Sequence, residues 1–205
     1  FTSGCNFRCP YCHNPALVTG SPERMPEEYF WEFLEERKEW LDGVCITGGE
    51  PLIHEDAPAF LKKIKSFGFD VKLDTNGSLP EALEKCLPYA DYIAMDIKAP
   101  PEKYAAVAGA DVKDAVKESV EIIRSSKKEY EFRTTVVPGL YSEEDALAIG
   151  EWLKESDAYY LQQFVSSNDL VDQSYRGKPG YPPQELRGLR EKLKPYFKKC
   201  EVRGI

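Results

Sequence analysis

An α/β fold built around a parallel sheet is predicted by three features of this 205-residue chain. Short apolar runs, which favour buried strands, alternate with amphipathic stretches, which favour helices. The stretches between successive strands are long enough for the crossover connections that parallel strands require. Polar residues follow most of the strands, and both an open doubly wound sheet and a barrel bind ligands at the carboxyl ends of their strands. The pattern by itself leaves these two architectures open.

The individual elements follow from periodicity and capping signals. The longest helical pattern, residues 25–43, puts Phe30, Phe33, Leu34 and Leu41 on one face. The sequence SEED at 142–145 is a capping box that opens a later helix. Strands are predicted at 43–49, 69–77, 91–100, 131–139, 159–165 and 200–204, and helices at 25–43, 55–68, 81–87, 114–126, 142–154 and 183–196. The first residues, FTS, resemble the end of a strand, so further residues are expected before Phe1.

Composition narrows the classes of function. A net charge of −8 and a pI near 5.0 argue against broad non-specific binding to nucleic acid or anionic membranes. No apolar run approaches the ~20 residues of a membrane-spanning helix. Six cysteines in a chain with regular strand and helix patterns do not resemble a small disulfide scaffold. Reduced thiols that hold a cofactor in the cytoplasm are the better interpretation.

Three of the cysteines lie within eight residues, in the stretch GCNFRCPYCHNP. The spacing Cys-x3-Cys-x2-Cys puts Cys5, Cys9 and Cys12 on a tight loop, and thiolates suit zinc and iron–sulfur clusters. A structural zinc site needs a fourth ligand, whereas a cluster held by three cysteines would leave one iron open to substrate. The spacing favours the cluster over zinc or plain packing. The other cysteines show no paired spacing and are predicted to be small buried apolar residues: Cys45, Cys86 and Cys200.

The motif CNFRCPYC resembles the signature of the radical S-adenosylmethionine (radical SAM) superfamily, including an aromatic residue before the third cysteine. TGGEP resembles the second motif of that superfamily, and DTNG, MDIK and VVPG follow in the expected order. Within the superfamily the chain most resembles the activating enzymes of glycyl-radical enzymes, in particular those of anaerobic ribonucleoside-triphosphate reductase and pyruvate formate-lyase. The resemblance implies a single domain over residues 1–205, a partial parallel (β/α)6-type barrel with its N-terminal strand truncated.

The resemblance also implies a cofactor set and its ligands. The three clustered cysteines, Cys5, Cys9 and Cys12, would each bind one iron of a four-iron, four-sulfur (4Fe–4S) cluster. The fourth iron would take the amino and carboxylate groups of S-adenosylmethionine. The remaining residues implied at the cofactor are Tyr11 and His13 near the adenine, Gly48, Gly49 and Glu50 at the methionyl end, Asp74 and Asn76 at the ribose or carboxylate, Asp96 and Lys98 on the same rim, Arg133 as a fork for a carboxylate, and Val137 against the adenine.

Several of these residues also have ordinary structural interpretations. DTNG is a common turn sequence, so Asp74 and Asn76 could simply cap backbone amides. Lys98 could form a local ion pair, and Arg133 could pair with a neighbouring acid. Gln162 and Gln163 alternate along one strand, so at most one faces the barrel interior. Gln163 is predicted to be that residue.

The activity that the resemblance implies is the reductive cleavage of S-adenosylmethionine to a 5′-deoxyadenosyl radical, which takes hydrogen from a glycine of a partner enzyme. Anaerobic ribonucleoside-triphosphate reductase is the first candidate partner, with flavodoxin or ferredoxin as the one-electron donor. The alternatives are activation of pyruvate formate-lyase or another glycyl-radical enzyme, a radical SAM reaction on a small molecule, and a non-catalytic zinc or iron–sulfur module. The absence of a second cysteine-rich block disfavours relatives with auxiliary clusters.

Overall fold

The structure is a computed structural model that describes residues 1–19, 23, 25–166 and 169–205. Its six strands are β1 Gly43–Ile46, β2 Asp70–Thr75, β3 Tyr92–Asp96, β4 Glu129–Val136, β5 Ala158–Gln163 and β6 Lys199–Arg203. Its α-helices are α1 Pro15–Thr19, α2 Glu27–Glu36, α3 Ala57–Ser66, α4 Pro80–Cys86, α5 Tyr104–Ala108, α6 Lys113–Ser125, α7 Glu143–Trp152 and α8 Pro183–Leu193. The six predicted strands are therefore confirmed, each shorter or shifted by a few residues.

The strand order decides between the two architectures. The strands form one sheet in the order β1-β2-β3-β4-β5-β6, and every neighbouring pair is parallel. Each crossover therefore advances in the same direction, and right-handed crossovers then place the connecting helices on one face of the sheet. A doubly wound sheet would need a reversal of strand order to carry helices on both faces. The prediction of an α/β partial parallel (β/α)6-type barrel is confirmed.

The two faces of the central strands differ in character because successive side chains point in opposite directions. The helix-covered face carries the apolar core and packs against the helices; its residues include Val71, Leu73, Ile93, Met95, Phe132 and Leu161, each fully buried. The cavity face is polar; its residues include Lys72, Asp74, Asp96, Glu131 and Arg133. Half of each central strand thus builds the core, and the other half is free to build a site.

One helical prediction needs correction, and two short helices were missed. The helix predicted at 25–43 ends at Glu36, and Phe33 on it remains 47% exposed. Trp31 contributes to packing instead, since its ring stacks with Phe67 at 5.7 Å. The short helices α1 and α5 were not predicted, because five residues are too few to display a helical period. The capping box at Ser142 is confirmed.

The first residues lie beside the outer edge of β1. Thr2 forms an isolated parallel bridge with Gly48, and its amide donates to the carbonyl oxygen of Thr47 at 2.6 Å. The side chain of His54, in the loop that follows β1, hydrogen-bonds the carbonyl oxygen of Ser3 at 2.9 Å. The segment before Cys5 is therefore tied to the loop that follows β1. None of the helices in the described part of the chain has the length and apolar character of a membrane span.

Candidate active site

One cavity at the carboxyl ends of the strands gathers most of the residues predicted from the sequence. Its walls come from the cysteine loop (residues 4–14) and from the ends of β1, β2, β3 and β4. Thirteen of the fifteen predicted site residues line it: Cys5, Cys9, Tyr11, Cys12, His13, Gly48, Gly49, Glu50, Asp74, Asn76, Asp96, Lys98 and Arg133. Parallel strands bring their carboxyl ends to one edge, which explains why residues so distant in sequence meet in this cavity.

The cysteine loop is held by the side chain of Arg8, by a backbone hydrogen bond to α5 and by one buried aromatic ring. The guanidinium of Arg8 donates to the carbonyl oxygens of Cys5 at 2.6 Å and Phe7 at 2.8 Å. The Arg8 amide donates to the carbonyl oxygen of Ala108 in α5 at 2.8 Å. Phe7 is buried and packs edge-on against Tyr104. These contacts shape the loop independently of any bound group.

A segment that follows β5 braces the other end of the loop. The amide of Val171 donates to the carbonyl oxygen of Cys12 at 3.1 Å, and the amide of Asp172 donates to that of Pro10 at 2.9 Å. Leu170 beside them is buried. The third cysteine is therefore positioned by a part of the chain more than 150 residues away in the sequence.

The three clustered thiols face the same cavity but do not converge on a single ion. Among the described residues, no group of three or more histidine, cysteine, aspartate or glutamate side chains is arranged to hold one metal ion. A closed zinc tetrahedron needs such convergence. A cubane cluster does not, because each cysteine ligand binds a different iron. Three thiols on one loop around a shared cavity therefore fit the donor set of an iron–sulfur cluster.

Burial also affects the acidity of these thiols. Desolvation raises the pKa of Cys9 to about 11 and also raises the pKa of Cys5. Ligation to iron requires thiolates, so cluster binding would have to displace these protons. All six cysteines are free thiols. Burial is confirmed for Cys86 and Cys200, whereas the prediction for Cys45 is wrong, because that residue is exposed.

The glycines after β1 allow close approach by the chain itself. A Cβ on Gly49 would overlap the carbonyl oxygen of Gly4, and a Cβ on Gly48 would overlap the backbone of Thr2. Gly48 also has a φ of +128°, which side chains other than that of glycine rarely adopt. The two glycines let the segment before Cys5 pack directly against the end of β1. This brings the cysteine loop to the strand ends.

Glu50 is buried and accepts hydrogen bonds from three donors of its own chain. Its Oε1 accepts from Oγ1 of Thr75 at 2.8 Å and from the amide of Leu52 at 3.1 Å, and its Oε2 accepts from the amide of Asn76 at 2.6 Å. Desolvation outweighs these donors and raises the pKa of Glu50 to about 7. The Glu50 side chain therefore joins the loop after β1 to the turn after β2. In this way it fixes the relative position of two segments of the cavity wall.

Charged side chains form a continuous ladder across the cavity face. The Arg133 guanidinium donates from Nη2 to Asp74 Oδ2 at 2.9 Å and from Nε to Asp96 Oδ1 at 2.5 Å. Lys72 pairs with the other oxygen of Asp74, and Lys98 Nζ donates to Asp96 Oδ2 at 2.8 Å. The charges alternate in sign from Lys72 to Lys98. The Arg133 fork predicted for a ligand carboxylate is thus occupied by two carboxylates of this chain.

The ladder determines the ionisation of its members. Burial alone would raise the pKa of Asp96, but the charges of Lys98 and Arg133 together hold it below its ordinary value. Burial would lower the pKa of Lys98, and the charge of Asp96 outweighs that effect and raises it. Both groups are therefore charged at neutral pH. Lys98 lines the cavity with only one hydrogen-bond acceptor for its ammonium among the described residues, so it retains donors for a ligand.

Tyr11 adds a buried polar atom to the cavity wall. Its Oη has no hydrogen-bond partner among the described residues, and burial raises the pKa of its hydroxyl well above the ordinary value. A buried hydroxyl without a partner is costly. His13, by contrast, is exposed, and its ring lies 5.9 Å from that of Phe164. The orphan hydroxyl of Tyr11 is consistent with a polar group bound in this cavity.

Two predicted residues lie outside the cavity. Val137 is fully buried in the core just after β4. Gln163 shares the strand face of Tyr159 and Leu161, and its amide exchanges two hydrogen bonds with the backbone of Tyr181, at 2.5 and 3.1 Å. The choice of Gln163 as the inward-facing glutamine is therefore wrong, since strand alternation gives that direction to Gln162.

Six cavity residues were not predicted: Phe7, Asn14, Val18, Thr47, Thr75 and Thr135. Strand alternation could have identified Thr135, because it follows Arg133 by two positions on the same face. Thr75 could have been found from its place between Asp74 and Asn76. Val18 belongs to α1, which gave no sequence signal.

Comparison with known proteins shows which family the chain belongs to. Residues 1–153 match the sequence profile of the Radical SAM superfamily. The chain is 32% identical over 213 residues to a proposed glycyl-radical enzyme activating enzyme of Methanocaldococcus jannaschii, covering 100% of this chain and 88% of that relative. The chain therefore belongs to the radical SAM superfamily. Membership implies a 4Fe–4S cluster and S-adenosylmethionine.

Other relatives span more than one activity. The chain is 29% identical over 170 residues to the pyruvate formate-lyase-activating enzyme of Streptococcus mutans, covering 75% of this chain and 64% of that one. It is 30% identical over 161 residues to the GTP 3′,8-cyclase of Helicobacter pylori, covering 75% and 50%. The structure of Streptococcus suis SuiB bound to S-adenosylmethionine superposes with a TM-score of 0.76 at 16% identity, covering 99% of this chain and 49% of SuiB. The chain thus spans about half of SuiB, and this likeness concerns the fold.

Proposed function

We propose that this protein is a radical SAM enzyme that activates a glycyl-radical enzyme. The observation that carries the proposal is the meeting of three thiols from one loop with the polar ends of four strands in one cavity. When bound there, the cluster and S-adenosylmethionine would supply a 5′-deoxyadenosyl radical, with one electron taken from an external donor and methionine released, and that radical would take a hydrogen atom from the α-carbon of a glycine. We also propose that residues 1–205 form a single domain.

The chain's own residues would bind the cluster, orient S-adenosylmethionine and shield both from water. Cys5, Cys9 and Cys12 would hold the cluster, one thiolate to each of three irons. Lys98 would direct its remaining ammonium donors to the carboxylate of the methionyl group, as a point charge held in place by Asp96. Tyr11 would close the wall beside the cluster and give its buried hydroxyl a polar partner.

We further propose that the partner is anaerobic ribonucleoside-triphosphate reductase, with flavodoxin or ferredoxin supplying the electron. Similarity to a proposed glycyl-radical enzyme activating enzyme over the whole chain supports a protein substrate. Pyruvate formate-lyase is the next partner to test, because an activating enzyme of that lyase is also similar. A reaction on a small molecule is the second candidate, supported by similarity to GTP 3′,8-cyclase.

The decisive experiment begins with anaerobic reconstitution by iron and sulfide. Dithionite and S-adenosylmethionine are then added, and 5′-deoxyadenosine is measured with and without each candidate reductase or lyase. We expect 5′-deoxyadenosine together with a glycyl radical, seen by electron paramagnetic resonance, on one partner. If 5′-deoxyadenosine forms but no partner gains a radical, the small-molecule candidate replaces the activase. A chain that gives neither cluster absorbance nor 5′-deoxyadenosine is not a radical SAM enzyme.

Two cysteine variants test the ligand set. Cys9→Ala should abolish cluster binding, because it removes one of three ligands. Cys86→Ala is the matched control, since Cys86 is fully buried on α4, away from the cavity, and should leave iron content unchanged. Iron and sulfide per chain after reconstitution are the measurement. Equal loss of iron in both variants would contradict the three-cysteine assignment.

A further inference from the structure

Three side chains form a closed ring of hydrogen bonds beside the cavity. Asn6 Nδ2 donates to Ser78 Oγ at 2.7 Å, Ser78 Oγ donates to Asn76 Oδ1 at 2.6 Å, and Asn76 Nδ2 donates back to Asn6 Oδ1 at 2.9 Å. Every member both donates and accepts, so the ring fixes the orientation of the two amides. Asn76 and Ser78 are buried and Asn6 is exposed, so the ring lies where the buried turn meets the surface.

The ring joins two segments that are distant in sequence. Asn6 follows Cys5 directly in the cysteine loop, whereas Asn76 and Ser78 belong to the turn after β2. The Ser78 amide also donates to Asn76 Oδ1, at 2.9 Å, which closes the turn on itself. Because the turn is rigid, the ring transmits its position to the cysteine loop. The side chain of Asn76 was predicted to contact the cofactor. Its amide nitrogen Nδ2 instead donates to Asn6 Oδ1.

Glu50 extends the connection to the third segment of the site. Its carboxylate accepts a hydrogen bond from the backbone amide of Asn76 at 2.6 Å. Its own backbone amide donates to the carbonyl oxygen of Gly4 at 2.9 Å. The loop after β1, the turn after β2 and the start of the cysteine loop therefore form a triangle of direct contacts. Asn6 and Gly4 are the two points at which this triangle holds the cysteine loop.

We propose that Asn6 is a positioning residue that holds the cysteine loop in register with the strand ends across the cavity. The inference rests on the proposed function, in which the cysteine loop holds the cluster and the strand ends hold S-adenosylmethionine. Loss of the ring leaves all three thiols and their backbone supports, so iron can still bind. It loosens the alignment between the cluster and S-adenosylmethionine, which depends on the distance between the two sets of segments.

The test compares reconstituted variants of the chain with the reconstituted wild type. Asn6→Ala removes the ring, and Asn6→Asp keeps the acceptor for Asn76 while losing the donor to Ser78. Asn76→Ala and the double variant complete a mutant cycle. Ser142→Ala is the stability control, because it removes the N-cap of α7 without touching the ring. The readouts are iron per chain, the thermal midpoint, the Kd for S-adenosylmethionine and its effect on the electron paramagnetic resonance spectrum of the reduced cluster.

We expect Asn6→Ala to load as much iron as the wild type and to bind S-adenosylmethionine about tenfold more weakly, the factor that corresponds to one lost hydrogen bond. Its spectrum should shift less on binding. Asn6→Asp should lie between the two, and the double variant should be no worse than Asn6→Ala. Ser142→Ala should melt earlier with a normal spectral response. In the chain without cluster, amide hydrogen exchange of residues 4–9 should rise about five- to tenfold in Asn6→Ala.

Several outcomes would overturn the inference. One is a wild-type spectral response and Kd in Asn6→Ala. Another is a parallel fall of iron content and thermal midpoint with an unchanged response in the loaded fraction, which would make Asn6 merely structural. In both cases the wild type binds its cofactors, so the proposed function survives. A wild type that loads no cluster or does not bind S-adenosylmethionine overturns both proposals together.

Discussion

The two faces of the central strands have opposite chemistry although the same short segments build them. On β2 and β3 the helix-covered face holds Val71, Leu73, Ile93 and Met95, all fully buried and apolar. One position away, the cavity face holds Asp74 and Asp96 with their cationic partners. Where helices cover both faces of a parallel sheet, the sequence of each strand is a nearly continuous run of apolar residues. The alternation here shows that one face has no helical cover.

Different forces stabilise the two faces. Removal of apolar surface from water stabilises the helix-covered face, and that contribution does not depend on direction. The cavity face contains charges whose desolvation is offset only by paired partners in the right geometry. The helix-covered face should therefore tolerate changes that preserve volume, whereas the cavity face should tolerate changes that preserve charge pairing.

The largest expected effect on stability is at the centre of the ladder. Arg133→Met removes the cation that Asp74 and Asp96 share and leaves each with one lysine partner, and breaking a largely buried pair in this way costs up to about 4 kcal/mol. Arg133→Lys is the control, because it retains the charge but not the fork, and it should lose less. Urea unfolding at pH 7 measures both. A loss below about 1 kcal/mol in Arg133→Met would mean that solvent screens the ladder.

A slightly smaller effect is expected directly across the sheet. Leu73→Ala on β2 removes a fully buried side chain from the helix-covered face and should cost about 3 kcal/mol. Leu73→Met, which nearly preserves volume, should cost less than about 1.5 kcal/mol. The same urea titration gives both values. If both variants lost the same free energy of unfolding, side-chain volume would not be the property that matters at this position.

Glu50 allows a test by pH. Its pKa of about 7 in the folded chain exceeds the ordinary value of 4.5, so the folded state binds the proton more tightly. Its contribution to the free energy of unfolding is therefore greatest at acidic pH and falls by about 2 kcal/mol between pH 5 and 7. Glu50→Gln cannot titrate, and its pH profile should lack that decline. Parallel profiles for the wild type and Glu50→Gln would contradict the raised pKa.

The smallest effect is expected for a charge pair outside the cavity. Lys154, just after α7, has its Nζ 2.7 Å from Oε1 of Glu151 in the last turn of that helix. Both side chains are more than half exposed. Water and salt screen such pairs. Lys154→Ala should therefore leave the thermal midpoint unchanged within the error of calorimetry. A clear drop would show that exposed pairs also contribute, and would weaken the contrast with the ladder.

Much of the site could be predicted because parallel strands bring their carboxyl ends to one edge. Cys5, Gly49, Asp74 and Lys98 are scattered over the sequence, yet each lies at a loop or strand end, and the sheet assembles them without further information. Gln163 was misjudged because a strand's register relative to the barrel is decided by what packs on each face, here the backbone of Tyr181. Cys45 was misjudged because it lies on the edge strand β1, on the polar face beside Lys72 and Asp74.

The sequence by itself determined the α/β class, the six strands, the cysteine loop and the order of the motifs along the rim. Periodicity and spacing are local properties, and local residues encode them. Only the tertiary structure decided that the barrel is open, that Arg133 joins two aspartates, and that Asn6 meets Asn76 across 70 positions of sequence. Those features depend on the distances between side chains of different strands and loops, which exist only once the sheet has formed.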